Sequence, residues 1–312
     1  MALRASWRRT RTSSAGTSES NEPRRRVGAV SWIDPDFPTT ATPSDRVGRV
    51  LGLNPGLFTG PGTNTYLVGA REPVLIDTGA GVAGYPAVLD AYLKARGLGR
   101  PSRIVLTHRH RDHMGGVAQL RARFPGIPVA KLRHRDPALP EPVDHLADGQ
   151  AIPADGATLI PLHTPGHASD HLCYYLVEER ALFTGDLILG GSTTVIPPDD
   201  GDLGDYLRSL ERVRALDVRR IYPAHGPVIE DPGTTIRDYV EHRHARERQI
   251  LELLGGGPVT ISDIVEAIYA GVSRALHGAA AMSVESHLRK LQGEGRVREQ
   301  PRSGDASRWG LV

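Results

Sequence analysis

The chain has 312 residues, 39% apolar and 24% charged, with a formal charge of +2 and one cysteine. Such proportions describe an ordinary globular chain with room for one large core and a smaller unit. They exclude an internal disulfide framework, and no apolar run approaches the roughly 18 residues that span a bilayer, so no membrane partner is expected.

Residues 1–45 lack hydrophobic periodicity and are rich in Ser, Thr, Pro and Arg, which predicts a disordered or targeting extension. Seven arginines against two glutamates give the first 26 residues a balance of +5, residues 289–312 carry +3, and the middle is left at −6. The acid-free start could act as a mitochondrial transit peptide, which would place the protein in the matrix. Three lysines beside so many arginines is a bias common in GC-rich bacteria, and a cytoplasmic location is the expectation.

From Val47 short apolar runs alternate with helical patterns. Strands are expected at Thr65 to Val68, Val74 to Ile76 and Arg103 to Leu106, and helices at Pro86 to Ala95 and Gly115 to Arg123. This is an α/β order, with mixed sheets flanked by helices. Directly after the Ile104-Val105-Leu106 run comes Thr107-His108-Arg109-His110-Arg111-Asp112-His113-Met114-Gly115-Gly116. Three histidines and an aspartate at a strand end form a metal site at the edge where open α/β sheets place their chemistry. His108 and His110 alternate along extended chain and reach one ion, whereas Asp112 and His113 lie past the bend and reach a second. Nitrogen with carboxylate oxygen suits zinc, although manganese or iron fits the same donors.

Three later turns repeat one pattern, an apolar strand, a Pro or Gly turn, then a ligand. They are Thr158 to Leu162 before His167, Arg180 to Phe183 before Asp186, and Arg220 to Tyr222 before His225. Asp77, at the end of Val74 to Ile76, either orients a metal-binding histidine or forms a turn. Cys173 falls in His171 to Val177, a strand, and reads as a buried core thiol. A helix from Thr234 toward Leu254 stops at Gly255-Gly256-Gly257-Pro258. Helices at Thr260 to Tyr269 and Ser283 to Gln292, then a strand near Trp309 to Leu311, describe a winged helix. Ser283 to Gln292 would be its recognition helix, serving substrate guidance or packing more than duplex reading. The expected domains are thus 1–45, 46–232, a connecting helix 233–257, and 258–312.

His-x-His-x-Asp-His followed by His, Asp and His in this order resembles the metallo-β-lactamase superfamily. That resemblance implies an αβ/βα sandwich with His108, His110 and His167 on one zinc, Asp112, His113 and His225 on the other, and Asp186 bridging. A histidine at 110 and an aspartate at 186 argue against the di-iron flavoprotein and true lactamase branches. Asn54-Pro55-Gly56, Gly62-Thr63-Asn64-Thr65-Tyr66-Leu67, Leu75-Ile76-Asp77-Thr78-Gly79 and Glu241-His242-Arg243 are similar to the beta-lactamase-like protein 2 family. Its members are single-strand-specific endoribonucleases, and close fungal relatives are thioesterases acting on acyl carrier proteins.

Two zinc ions about 3.5 to 4 Å apart can share a hydroxide at neutral pH, with Asp112 as the catalytic residue that steers it. The expected partner is single-stranded RNA, held by Arg289, Lys290 and Arg296. The alternative is an acyl thioester or acyl carrier protein, and a homodimer is left open. The resemblance implies that the Gly62-Thr63-Asn64-Thr65 loop lies at the cleft, so Asn64 is expected at the substrate with His171, and His163 and His171 are the candidates for a general acid. A metal site of purely structural purpose, with the winged helix binding nucleic acid, is the remaining reading.

Overall fold

The computed structural model describes residues 33–133, 139, 141–302 and 305–312; the proposed transit peptide in residues 1–26 lies outside them. Its elements fall into two facing sheets, each covered on its outer side by helices, followed by a small third sheet with its own helices.

The first sheet has seven strands in sequence order: β1 (Thr40–Ala41), β2 (Val47–Leu51), β3 (Asn64–Val68), β4 (Val74–Ile76), β5 (Arg103–Val105), β6 (Val129–Leu132) and β7 (Asp144–Leu146). Its first three pairings are antiparallel and the last three parallel. The parallel crossovers use α1 (Tyr85–Ala95), the single-turn α2 (Arg111–Met114) and α3 (Val117–Arg123). Alternation along the strands decides which layer each side chain joins. Leu67, Leu75 and Ile104 face Tyr85, Leu89 and Leu120 of the helices, while Tyr66, Val68, Val74, Ile76 and Val105 face the second sheet.

That second sheet contains β8 (Ile152–Pro153), β9 (Thr158–His163), β10 (Leu172–Leu176), β11 (Ala181–Gly185) and β12 (Arg220–Pro223), in the order β12-β11-β10-β9-β8. Leu159, Tyr174 and Phe183 meet the first sheet, whereas Cys173, Leu182 and Ile221 face α4 (Leu203–Arg214) and α5 (Pro232–Gly255). Four layers result, the αβ/βα order expected. Cys173 is fully buried, and burial pushes its thiol up to about 12, which makes it an inert core residue.

Three departures have physical reasons. No strand-end ligand lies in 203–214, so α4 carries no motif, although Leu203, Tyr206, Leu210 and Val213 at helical spacing enter the core between this helix and the second sheet. The edge strands β7 and β8, three and two residues long, are too short to show periodicity. The second winged-helix helix, expected at Ser283, begins six residues earlier: α7 (His277–Gly293) extends a 3-10 turn at Arg274–Leu276.

In the C-terminal unit, α6 (Ile261–Ile268) opens with a capping box between Thr260 and Asp263. A sheet in the order β13-β15-β14 closes it, made of β13 (Val259–Thr260), β14 (Val297–Arg302) and β15 (Asp305–Leu311). Its core of Ile264, Val265, Val284, Leu288, Leu291 and Trp309 also takes in Ile250 and Leu254 from the end of α5, so the long helix belongs to both units. Ser286 on α7 donates to the carbonyl of Ile196 at 2.7 Å. One face of the expected recognition helix is therefore spent on packing. Among the described residues, no helix is long and apolar enough to cross a membrane.

His287 sits in this interface, 1% exposed, with neither ring nitrogen hydrogen-bonded. Burial, reinforced by Arg243, Lys290, His242 and Arg246, pushes it down to about 3. The unfolded chain therefore binds the proton first, and stability falls as pH drops from about 6.5 toward 3. We expect this residue alone to cost about 2 kcal/mol at pH 5 relative to pH 7. Urea unfolding of the protein and of His287→Leu at both pH values should show a smaller loss for the variant.

Candidate metal centre and cleft

The ligand-type side chains sit beyond strand ends, with Asp112 and His113 on the short α2 that follows β5. Asp77 follows β4 with a φ of 61°, in the left-handed region unusual for a non-glycine residue. That conformation turns its carboxylate across to the neighbouring strand. One oxygen accepts Thr107 N at 2.8 Å; the other accepts Thr107 Oγ1 and His113 Nδ1, both at 2.8 Å. Thr107 Oγ1 also lies 3.0 Å from His108 Nδ1. The remaining nitrogen of each histidine, Nε2, is thereby left as a lone-pair donor toward the site.

His167 Nδ1 donates to Val195 O at 2.7 Å, which aims its Nε2 inward in the same way. Three nitrogens converge: His108 Nε2 and His167 Nε2 lie 3.0 and 2.9 Å from His110 Nδ1. On the other side His113 Nε2 and His225 Nε2 lie 3.2 and 3.3 Å from Asp112 Oδ2. Asp186 joins the two groups: Oδ1 stands 3.4 Å from His113 and 3.2 Å from His225, while Oδ2 stands 3.4 Å from His167. The resulting sets, His108 with His110 and His167, His108 with His113 and Asp186, and Asp112 with His113 and His225, are each tight enough to hold a metal ion.

These residues fit a divalent metal on two further grounds. His113 Nε2 and Asp186 Oδ1 are buried without a hydrogen-bond partner, a costly condition that a cation relieves. The electrostatics also divide the site. Burial and neighbouring imidazoles hold His108 well below its usual value and His110 down to about 4, so this side presents neutral nitrogens. Burial would lower His113 and His225 too, but the carboxylates of Asp112 and Asp186 outweigh it, lifting His113 well above the usual range and His225 to about 9. Those two histidines in turn hold Asp112 and Asp186 well below ordinary carboxylates, against the opposing effect of burial. A cation on the carboxylate side replaces the histidine protons.

Two sequence expectations are corrected. Asn64, expected at the substrate, is 1% exposed. Its Nδ2 donates to Pro223 O and Gly226 O, and its Oδ1 accepts from Arg49, so it staples the His225 turn to β3. His171 is wholly buried. Its Nε2 accepts Asp186 N at 3.1 Å while Nδ1 meets Thr164 Oγ1 at 2.9 Å, and burial keeps it well below the usual histidine value. It orients Asp186 and is unavailable as a substrate contact or general acid. Asp77 lies behind His113, the orienting arrangement considered for it.

Other contributors are not marked by the ligand pattern. Thr63 Oγ1 donates to Asp112 Oδ2 at 3.2 Å and is itself fixed by Asn54, whose Oδ1 accepts Thr63 N at 2.9 Å. The signal lay in Asn54-Pro55-Gly56 and Gly62-Thr63, whose spacing brings the two turns together. Lys131 and Asp170 form a fully buried ion pair at 2.7 Å, and Asp170 also accepts from Arg109 N, between two ligands. Nothing local marks a lone lysine in β6 as the partner of a turn residue in another sheet. Gly226, with φ 80°, places its backbone where a Cβ would lie 1.8 Å from Gly190 O, so no other residue fits beside His225.

A cavity of about 770 Å³ opens from His167 and Asp186 toward the C-terminal unit. Its walls are mostly apolar, with Leu57 and Phe58 on one side and Tyr269, Val272 and Leu276 on the other.

Comparison with known proteins agrees with this geometry. The metallo-beta-lactamase superfamily matches residues 58–225, and the beta-lactamase associated winged helix domain matches residues 260–309. A beta-lactamase-like protein 2 homolog from Caenorhabditis elegans is 40% identical over 81% of this chain and 86% of its own length. An atrochrysone carboxyl ACP thioesterase from Passalora fulva is 37% identical over 86% of this chain and 82% of its own. Among solved structures, a metallo-beta-lactamase family protein from Thermus thermophilus has a TM-score of 0.68 and 26% identity, covering 80% of this chain and 94% of the other. A beta-lactamase domain protein from Burkholderia ambifaria, at 19% identity over 88% and 93%, shares the fold with a TM-score of 0.77.

We expect Asp77→Asn, which loses an acceptor for His113, to weaken metal binding about 10- to 100-fold in chelator competition. Lys131→Met leaves Asp170 buried and unpaired and should cost about 3–5 kcal/mol in urea unfolding. Arg71→Ala, which removes the exposed partner of Asp155, should leave the urea midpoint unchanged.

Proposed function

The chain belongs to the metallo-beta-lactamase superfamily, and on that footing we propose that it is a di-zinc hydrolase of acyl thioesters. The observation that carries this reading is the apolar cavity beginning at His167 and Asp186. An acyl group gains from such walls, at about 25 cal/mol per Å² of apolar surface buried. Phosphodiester backbone needs unpaired cations along an open track instead. The cations expected to serve RNA are already engaged: Lys290 with Glu247 and Glu294 at 2.7 Å, Arg296 with Glu247 at 3.0 Å, and Arg289 with Glu285. The named activity of the Passalora fulva relative points the same way.

His108, His110 and His167 would hold one zinc and Asp112, His113 and His225 the other, with Asp186 between them. When bound, the metals supply Lewis acidity at the carbonyl and a deprotonated water at neutral pH. The chain's own residues do the positioning. Asp112, a quarter exposed and steadied by Thr63, orients the attacking water. His171, accepting from Asp186 N, fixes the backbone that carries the Asp186 carboxylate. The Leu57–Phe58 edge and Tyr269 wall screen the carbonyl from bulk water. A thiolate leaves unaided because its conjugate acid is far stronger than an alcohol. The cleft matches that requirement: His242 lines it, but burial and the charges of Arg243 and Arg246 push it down to about 4, so no imidazolium is present at neutral pH.

Single-strand RNA cleavage is the second reading, favoured by one feature. Phe58 is 56% exposed beside the metal centre and Arg246 stacks over Tyr269 at 4.6 Å across the cavity, surfaces on which a base can stack. We expect the zinc-loaded protein to hydrolyse acyl thioesters and leave labelled single-stranded RNA intact, with Asp112→Ala lowering kcat at least 100-fold. RNA cleavage that disappears in Asp112→Ala, without thioester turnover, would replace this reading by the nuclease.

A further inference from the structure

The basic side chains between the two units fall into two groups. Lys290, Arg296 and Arg289 are matched by glutamates. Arg243 and Arg246 are not: among the described residues neither forms an ion pair with a carboxylate. Both line the cavity, and three residues apart on α5 they share one helix face.

Arg243 is 2% exposed. One terminal nitrogen donates to Thr194 O, the guanidinium lies 5.1 Å over the Tyr206 ring, and Nε has no acceptor. Arg246 donates to Gln249 at 2.8 Å and stacks on Tyr269, and its Nε is likewise buried without an acceptor. His287, behind them, has both ring nitrogens unpartnered. A buried guanidinium offers five donors and holds its charge at every physiological pH. Arg243 is buried and Arg246 half-buried, each with an unpartnered Nε and neither ion-paired although Asp186 and Asp238 line the same cavity, an arrangement that an anion between the two guanidinium groups completes.

We propose that Arg243 and Arg246 form an oxyanion subsite that receives a carboxylate carried by the acyl group, so that the preferred substrates are half-thioesters of dicarboxylic acids. This rests on the thioesterase reading above. The location argues for the acyl side of the substrate over the carrier side. Thr194, which Arg243 holds, precedes Val195, which aims His167 at the metal centre. The arginines therefore line the part of the cavity that adjoins the support of His167, together with Tyr269, Val272 and Leu276, which cover an apolar body. A planar guanidinium fork matches a carboxylate in two parallel hydrogen bonds. A phosphate on the carrier would stay outside the mouth.

The test uses the zinc-loaded full chain and N-acetylcysteamine thioesters, whose leaving group has no phosphate. Octanoyl and ω-carboxyoctanoyl thioesters are compared, alongside their coenzyme A counterparts, in the protein, in Arg246→Gln and in Arg246→Lys. The expected result is at least a tenfold preference in kcat/KM for the carboxylated chain. That ratio should collapse in Arg246→Gln and return in part in Arg246→Lys. Equal rates, or preference for the neutral chain, overturn the proposal. A preference for coenzyme A thioesters that Arg246→Gln removes, with no acyl discrimination, overturns it too, because the anion then belongs to the leaving group. Should no thioester turn over, the thioesterase reading fails, and the subsite is judged separately by calorimetric binding of free nonanedioate. Binding weakened tenfold in Arg246→Gln supports it, and absent or unaltered binding ends it.

Discussion

One carboxylate holds the centre together. Asp77 leaves its strand in a left-handed conformation and spends both oxygens on the next strand's end, on Thr107 and on His113. Strand spacing, histidine tautomer and ring direction are thus set by one side chain, fully buried and shielded from water. A backbone conformation that costs about 1–3 kcal/mol persists only where its surroundings over-determine it. Here three hydrogen bonds do so. The ligands inherit their positions from the β4–β5 register, and that register comes from the alternating apolar pattern on both faces.

A second structural link runs through the core itself. Tyr66 stacks edge-on against Phe183 at 5.1 Å and sends its hydroxyl to Pro223 O, two residues before His225. Asn64 secures the same turn from two residues earlier on the same strand. The inner core and the metal centre are therefore parts of one packing arrangement. A substitution that loosens one should be felt in the other.

The metal centre was the most legible part of the chain because its residues obey local grammar: an apolar run, a turn, a ligand. His108, His110, Asp112 and His113 declare themselves within six positions, and His167, Asp186 and His225 each follow a strand. Residues whose role depends on which neighbour lies across a sheet were harder. His171 follows the His167 turn by four residues, and the resemblance put the Asn64 loop at the cleft, yet both side chains are buried. The Lys131–Asp170 pair joins two sheets, a relation no spacing records. The cations of the C-terminal helix read as a nucleic-acid surface in the sequence, yet Glu247, far upstream on α5, neutralises two of them.

The cavity is assembled from two sources. Its reactive end comes from strand-end turns of the sandwich, whereas its far wall, Tyr269 to Leu276, comes from the C-terminal unit, joined through a helix that both cores share. Chemistry and admission are thus written in separate stretches of the gene. Drift in the second stretch can redirect what enters without disturbing a single ligand, so lineages built on this plan can diverge in diet while their engine stays the same.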